Sequence, residues 1–390
     1  MNTSNRNNAA SSSSYRPHTR TVNDQGQLRL LCFDGGGVRG LSSLFILKEF
    51  LHCVQHDGTF VRPEGASGEI LPCDYFDMIC GTSTGGLIAI MLGKLRMSVT
   101  EAIEAYARLS GDIFSKKKWF WKEGRYSARA LEKAINTIVG ERVSHIQAQG
   151  GDQVGEIDKY ALGRSTMMRG DQPETQGCKV FVCAINTMNA DAEANIRTYR
   201  VTQNELDDFA IWEAARATTA APYFFKPLET STGNGRAFKA IYVDGGVRHN
   251  NPMMQLLREV AREFPNRSAS FILSLGTGQK NVIQLPRAGF IPKLQLFKVV
   301  KLLQDIATDC EQTHQDIERN FTTHQNIYFR FNVDQGMQGL GLEEWQRQGE
   351  IGAHTRTYTG RAETTKRLNE AVTAFINLQS RIPIHKTFSV

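Results

Sequence analysis

The sequence predicts an α/β protein built on one largely parallel sheet with helices on both faces, and two observations carry that expectation. The stretch LRLLCFDGGGVRGLSSLFILKEF, residues 28–50, runs from an apolar strand through a glycine turn into an amphipathic helix. The stretch CDYFDMICGTSTGGLIAIMLGKL, residues 73–95, repeats that order with different chemistry at the turn. Beyond them, strand-like and helix-like runs alternate without an obvious linker or a fixed-period repeat, the pattern of a parallel sheet wound by crossover helices.

The elements follow in chain order. Residues 1–27 are polar, rich in Ser and Asn, and read as a disordered tail. After the first strand, turn and helix, Asp57 to Pro72 reads as a long connection. TEAIEAYARLS (100–110) predicts a helix with Thr100 as its N-cap, and SARALEKAINTIVG (127–140) a helix ended by Gly140. CKVFVCAIN (178–186) and NIRTYRV (195–201) read as strands. AIWEAARATTAAPYFFKP predicts a helix stopped at Pro222. KAIYVDGGVRHNNPMMQLLREVAREF predicts a strand, a turn and a helix from about Pro252. SFILSLGTGQK (270–280) reads as a buried strand with a glycine turn. Phe297 to Phe321 reads as a long amphipathic helix whose Val300, Leu303, Ile306, Cys310 and Ile317 cover the core. NIYFRFNV and a helix near 361–379 close the chain. The expected organisation is a core over 28–255, with 256–390 continuing the same domain.

Composition limits the function classes. Among 390 residues, 41% are apolar and the net charge is +6, too mild an excess to indicate a nucleic-acid binder. The seven cysteines (32, 53, 73, 80, 178, 183, 310) include no CxxC pair and mostly sit in apolar runs. They predict a reducing compartment, with neither a disulfide framework nor a metal site. No run of about 18 apolar residues occurs, and the N-terminus lacks the apolar core of a secretory signal. The expected location is the cytoplasm, with peripheral membrane contact as an option.

The turn chemistry narrows the field further. Asp34-Gly35-Gly36-Gly37-Val38-Arg39-Gly40 turns bare amides toward a helix N-terminus, a place suited to a nucleotide phosphate or to an oxyanion. A P-loop would need Gly-Lys-Ser/Thr where this chain has Arg39-Gly40-Leu41-Ser42. A dinucleotide site would need a second strand ending in an acid, where HDGTFVRPEGASGEI is loop-like. Gly81-Thr82-Ser83-Thr84-Gly85 fits G-x-S-x-G between a strand and a helix, as a nucleophile elbow requires. The same residues would also suit a hydroxyl that merely caps the helix. An elbow serine needs an oxyanion hole from the next amide and an earlier loop, and Gly35-Gly36-Gly37 is such a loop. For the base, Asp244 ends an apolar strand before Gly245-Gly246, although Asp-Gly-Gly alone is commonly a tight turn. His249, His314, His324, His354 and His385 all follow Asp244, so chain order leaves a Ser-Asp-His triad open.

DGGGVRG, GTSTG and DGG, in that order and with RATTAAPYFF before the third, resemble the patatin-like phospholipase family over roughly residues 29–255. SLGTG, YFRFNV and GLEEW also resemble longer stand-alone patatin-like proteins of fungi and other microbes. The resemblance implies a three-layer α/β/α sandwich and hydrolysis of acyl esters of phospholipids or related lipids by a Ser-Asp dyad, without a metal or cofactor. Carried over by motif, Ser83 is the nucleophile and Asp244 the base. Gly35, Gly36, Gly37, Arg39 and the Thr84 amide form the oxyanion hole, with Gly40, Gly81, Gly85, Gly245 and Gly246 as motif glycines. The third motif ends in Gly where many relatives have Ala, and Thr219 stands where Ser is frequent; neither is a reacting group. Acyl transfer to an alcohol and a silent lipid-binding module stay open as alternatives. The expected partners are a lipid substrate and a membrane surface, and no nucleic acid.

In SKKKWFWKEGRY (115–126), Lys116, Lys117 and Lys118 precede Trp119, Phe120 and Trp121, which suits an anionic interface as well as a charged loop with tucked aromatics. Ala221-Pro222-Tyr223-Phe224-Phe225 could line an acyl pocket or belong to plain core.

Overall fold

A computed structural model describes residues 26–62, 68–115, 125–149, 158–170, 177–189, 193–201, 208–222, 224–232, 238–279 and 310–387. Five parallel strands form its centre: β3 (Lys179–Asn186), β2 (Met78–Thr82), β1 (Gln27–Phe33), β7 (Ser268–Leu275) and β8 (Tyr328–Phe331), in that spatial order. β4 (Glu193–Arg197), β5 (Leu228–Thr232), β6 (Phe238–Asp244) and β9 (Ile382–Pro383) join antiparallel at the margins. β1 starts at Gln27, one residue inside the expected tail.

Alternation along the strands explains the layers, because successive side chains point to opposite faces. Leu31 and Phe33 of β1 join Ile79, Val180 and Leu273 on one face. That face is covered by α1 (Gly40–His56), α4 (Val99–Phe114), α5 (Ala128–Gln149), α7 (Ile211–Thr218) and the C-terminal helix Ala362–Asn377. Leu28, Leu30 and Cys32 face the other way with Cys80, Phe181 and Ile272, under α8 (Met253–Glu263) and the helix Cys310–Phe321. The result is the expected α/β/α sandwich, with β7 and β8 from beyond residue 257 in the same sheet as β1.

Several expected boundaries move. α4 is capped by Ser98, in a reciprocal capping box with Glu101, and the Thr100 hydroxyl donates to Glu69 instead. α7 ends at Thr218, four residues before Pro222. The helix expected over 297–321 is described only from Cys310, where Ile317 and Phe321 are buried; Phe297 to Asp309 lie outside the described residues. A helix at Gln348–Thr359 and a π-helical turn at Ile90–Lys94 were not anticipated.

Gly140 does not end its helix. α5 runs through it to Gln149, because the missing side chain admits α6 (Lys159–Ser165). A Cβ at Gly140 would overlap the Lys159 carbonyl oxygen, and one at Gly163 that of Asn136. Gly140→Ala is therefore expected to lower Tm. It gains about 1 kcal/mol in helix propensity, but overpacking costs about 1–3 kcal/mol. A raised Tm would mean the crossing relaxes freely.

Candidate active site

The register of the sheet brings two distant residues to one level. Thr82 of β2 pairs with Cys183 of β3, so Ser83 follows at the height of Ala184, and Ala184 pairs with Asp244. β6 runs opposite to β3 and brings Asp244 inward from beyond the carboxyl edge of the sheet, a direction the sequence did not reveal. A Cβ on Gly245 would lie 2.5 Å from the Cys183 carbonyl oxygen, so only glycine lets the chain turn away that close to β3.

Ser83 has φ 55° and ψ −126°, a backbone region that side chains rarely adopt and that costs of order 1–3 kcal/mol. The neighbouring glycines explain how the turn fits. Gly85 passes the end of β1 so closely that a Cβ there would lie 2.5 Å from the carbonyl oxygens of Phe33 and Asp34. A Cβ on Gly81 would overlap the Gly85 carbonyl. The turn is held by Thr218, whose hydroxyl accepts from the Ser83 amide at 2.9 Å and donates to the Cys183 carbonyl at 2.7 Å. The Thr82 hydroxyl donates to the His249 carbonyl at 2.6 Å.

The Ser83 side chain makes no capping bond to the helix that follows, Thr84–Ala89. Its Oγ donates to Asp244 Oδ2 at 2.6 Å. Asp244 Oδ1 accepts from the Gly246 amide at 2.7 Å, so both carboxylate oxygens are engaged. Burial pushes the Asp244 carboxyl up to about 7, against the opposing pull of the bonds from Ser83 and Gly246. Of the histidines that left a triad open, His249 gives its backbone carbonyl to Thr82. His314 Nδ1 lies 3.1 Å from the Tyr328 hydroxyl, and His324 Nδ1 lies 2.9 Å from that of Thr323.

The glycine loop lies beside the serine, and its residues differ in what they can offer. The Gly35 amide donates to the Asn250 carbonyl at 3.0 Å, so it is already committed. The Gly36 amide donates to Thr84 Oγ1 at 3.2 Å, next to Ser83. Gly37 has φ 57°, and a Cβ there would overlap the Leu342 carbonyl of the GLEEW segment, which accepts from the Val38 amide at 2.9 Å. Arg39 is buried and turns back, its Nε donating to the Gly36 carbonyl at 3.4 Å; it braces the loop. Gly40 faces the Tyr106 hydroxyl, and Gly246 faces Asn250 and Asp244. The Thr84 amide lies in the first turn of its helix, where N–H groups have no intrahelical acceptor.

A family model described as "Patatin-like phospholipase" matches residues 31–257, which contain the glycine loop, the serine turn and the Asp-Gly-Gly turn. The chain belongs to the patatin-like phospholipase family. The chain aligns with the calcium-independent phospholipase A2-gamma of Rattus norvegicus at 29% identity over 315 residues, 78% of this chain and 35% of that protein. The 85/88 kDa calcium-independent phospholipase A2 of Mus musculus is 26% identical over 336 residues, 79% of this chain and 35% of its own. The chain thus spans about a third of the length of these relatives. A third, from Arabidopsis thaliana, is named "Probable inactive patatin-like protein 9"; it is 23% identical over 89% of this chain and 85% of its own length.

Other residues singled out in the sequence fall elsewhere in the patatin-like fold. Phe225 is buried against Phe114 and Tyr126, and Phe224 stacks on Tyr126, so both serve the core; Tyr223 lies outside the described residues. Lys116, Lys117, Lys118, Trp119, Phe120 and Trp121 lie outside them too. An aliphatic cavity of about 20 Å³ beyond the serine turn, lined by Leu87, Ile90, Met91 and Leu109 among others, has room for about one water and none for an acyl chain. Glu49, His52 and Cys53 on α1 hold their ligand atoms within 4.8 Å of one another, in a cluster separate from Ser83. The sequence reading missed Thr218, Asn250, Thr277, Tyr106 and Arg330. Thr218 carried a signal as part of RATTAAP, and Thr277 and Arg330 lay inside the SLGTG and YFRFNV stretches without being singled out.

Proposed function

We propose that this protein is a lipid acyl hydrolase of the phospholipase A type, working through Ser83 and Asp244 and an acyl-enzyme. The observation that carries the reading is the 2.6 Å bond from Ser83 Oγ to a buried carboxylate whose proton affinity lies near neutrality. An ordinary Asp, near 3.9, would be a weak base at pH 7, whereas one near 7 is matched to the task.

Ser83 Oγ attacks the ester carbonyl carbon while its proton passes to Asp244 Oδ2. The oxyanion is held by the Gly36 amide, which exchanges the Thr84 hydroxyl for it, together with the Thr84 amide. The tetrahedral intermediate collapses, and the leaving alkoxide takes the proton from Asp244. Water then gives a proton to Asp244 and attacks the acyl-enzyme. Collapse frees the fatty acid and returns the proton to Ser83 Oγ. An alcohol in place of water would make the same enzyme an acyltransferase. The reaction as written takes no metal or cofactor.

Lys116–Trp121 supply a basic aromatic sequence suited to an anionic lipid surface, and the seven free cysteines suit a reducing cytoplasm. No helix among the described residues is long and apolar enough to cross a membrane. The second reading, a silent lipid-binding module, draws on the Arabidopsis relative that aligns over most of both chains under an "inactive" name.

The deciding experiment is intact mass after exposure to an activated fluorophosphonate, with fatty-acid release from mixed phospholipid vesicles measured in parallel. One adduct, absent from Ser83→Ala, together with released fatty acid is the expected result. Folded wild type that takes no label and releases nothing would leave the silent module standing.

A further inference from the structure

A trans peptide unit points its C=O and its N–H in opposite directions, so whatever holds a carbonyl also aims the next residue's amide. In the Gly35–Gly36 peptide, the Gly35 carbonyl is held from behind by two side-chain donors, Asn250 Nδ2 at 3.0 Å and Thr277 Oγ1 at 3.0 Å. The Gly36 amide consequently aims at Thr84 Oγ1, beside Ser83. In the next peptide, Arg39 takes the Gly36 carbonyl through its backbone amide (3.2 Å) and Nε (3.4 Å). Asn250 and Thr277 are both buried, and neither belongs to the three motifs. Thr277 lies in SLGTG at the end of β7, twenty residues past the stretch that matches the family model. It also packs against Gly36 so tightly that a Cβ there would overlap its hydroxyl.

We propose that Thr277 and Asn250 form a clamp that orients the Gly35–Gly36 peptide, with Thr277 a positioning residue for the Gly36 oxyanion donor. The proposal rests on the hydrolase reading above and extends the machinery beyond the matched region. Without the clamp the peptide plane can rotate and present a carbonyl, which repels an oxyanion where an amide would bind it. The loss falls on the transition state, because a neutral ester in the ground state makes little use of that donor.

The test compares wild type, Thr277→Val and Thr277→Ser on a soluble p-nitrophenyl ester, with kcat, KM, Tm and the pH profile measured for each. Valine keeps the shape and removes the hydroxyl; serine restores it. Thr277→Val is expected to lower kcat about 10- to 100-fold, the range set by misplacing a catalytic group by up to about 1 Å. KM should stay within about twofold, and the acid limb set by Asp244 should not move. Thr277→Ser should recover most of the rate. Wild-type kcat in Thr277→Val overturns the clamp while leaving the hydrolase reading intact, and so does a serine variant as slow as the valine one. A wild type that neither labels with fluorophosphonate nor cleaves any ester overturns the hydrolase reading and the clamp together.

Discussion

Asp244→Asn is expected to lose nearly all esterase activity and to melt at a higher temperature than wild type above pH 7. Both effects come from the same burial. The carboxyl, 3% exposed, is pushed up to about 7 in the fold against an ordinary value of 3.8. A group whose folded pKa is raised stabilises the fold fully below its unfolded pKa, and that contribution is lost as pH rises through the folded value. Wild type is therefore penalised progressively from about pH 4 to about pH 7 and by a constant amount above. A shift of about three units sets a ceiling of roughly 4 kcal/mol on that penalty. Asparagine is neutral at every pH. Its oxygen can accept from the Gly246 amide and its NH₂ can donate to Ser83 Oγ, so the site stays satisfied but cannot take a proton. Removing a general base typically costs about 10²- to 10⁴-fold in rate. Differential scanning fluorimetry at pH 4 and pH 8 should show the Tm gap opening with pH, while wild-type kcat/KM rises along one acid limb centred near 7. A limb near pH 4, or an asparagine variant less stable at pH 8, would show that the carboxylate is not held as described. An essential histidine would return the triad to consideration.

How far the site was legible depends on the distance over which each part is determined. DGGGVRG, GTSTG and DGG could be read because each is a contiguous glycine-rich run at the end of a strand, although most of the crowding that demands those glycines comes from distant chain, as from Thr277 at Gly36, Leu342 at Gly37 and Cys183 at Gly245. The sheet class was legible from contiguous runs in the same way. The direction of β6 was not, since a strand reads alike in either orientation and only pairing with β3 decides it. Thr277, Asn250 and Tyr106 escaped notice because each acts on the glycine loop across a long stretch of chain. Tyr106 is an apolar position on α4 by pattern, yet its hydroxyl donates to the Gly37 carbonyl at 2.5 Å. Gly140 misled because a glycine inside a helix and one just past its end look the same in sequence; the difference is whether another helix needs the space.

Arg330 presents the same problem in its strongest form, and replacing it should have the largest effect on stability. It stands in YFRF of β8, where strand alternation reads it as a polar break, but its side chain is only 2% exposed. Its Nη2 lies 2.7 Å from Asp34 Oδ2 and its Nη1 3.3 Å from Oδ1. Further bonds go to Ser274 Oγ at 2.9 Å and to Glu311 Oε1, which also accepts from Asn332. Asp34 opens the glycine motif, so this fork fixes the base of the glycine loop to the last parallel strand. Burial pushes the Asp34 carboxyl up and the guanidinium counters it, while the carboxylates hold the Arg330 proton more firmly still. Arg330→Met leaves a fully buried carboxyl without its cation. Breaking such a pair from one side costs about 3–5 kcal/mol. The deficit should deepen as pH rises, because the stranded Asp34 must then either ionise in the core or stay protonated at a growing cost. Adding Asp34→Asn should recover much of the loss, most of all at high pH, since the charge that needed a partner is gone. Urea midpoints at pH 5 and pH 8 for wild type, the single variants and the double variant would measure this. A double variant no more stable than Arg330→Met would mean that the arginine acts through Glu311 and the packing around β8, and that the link to Asp34 is incidental.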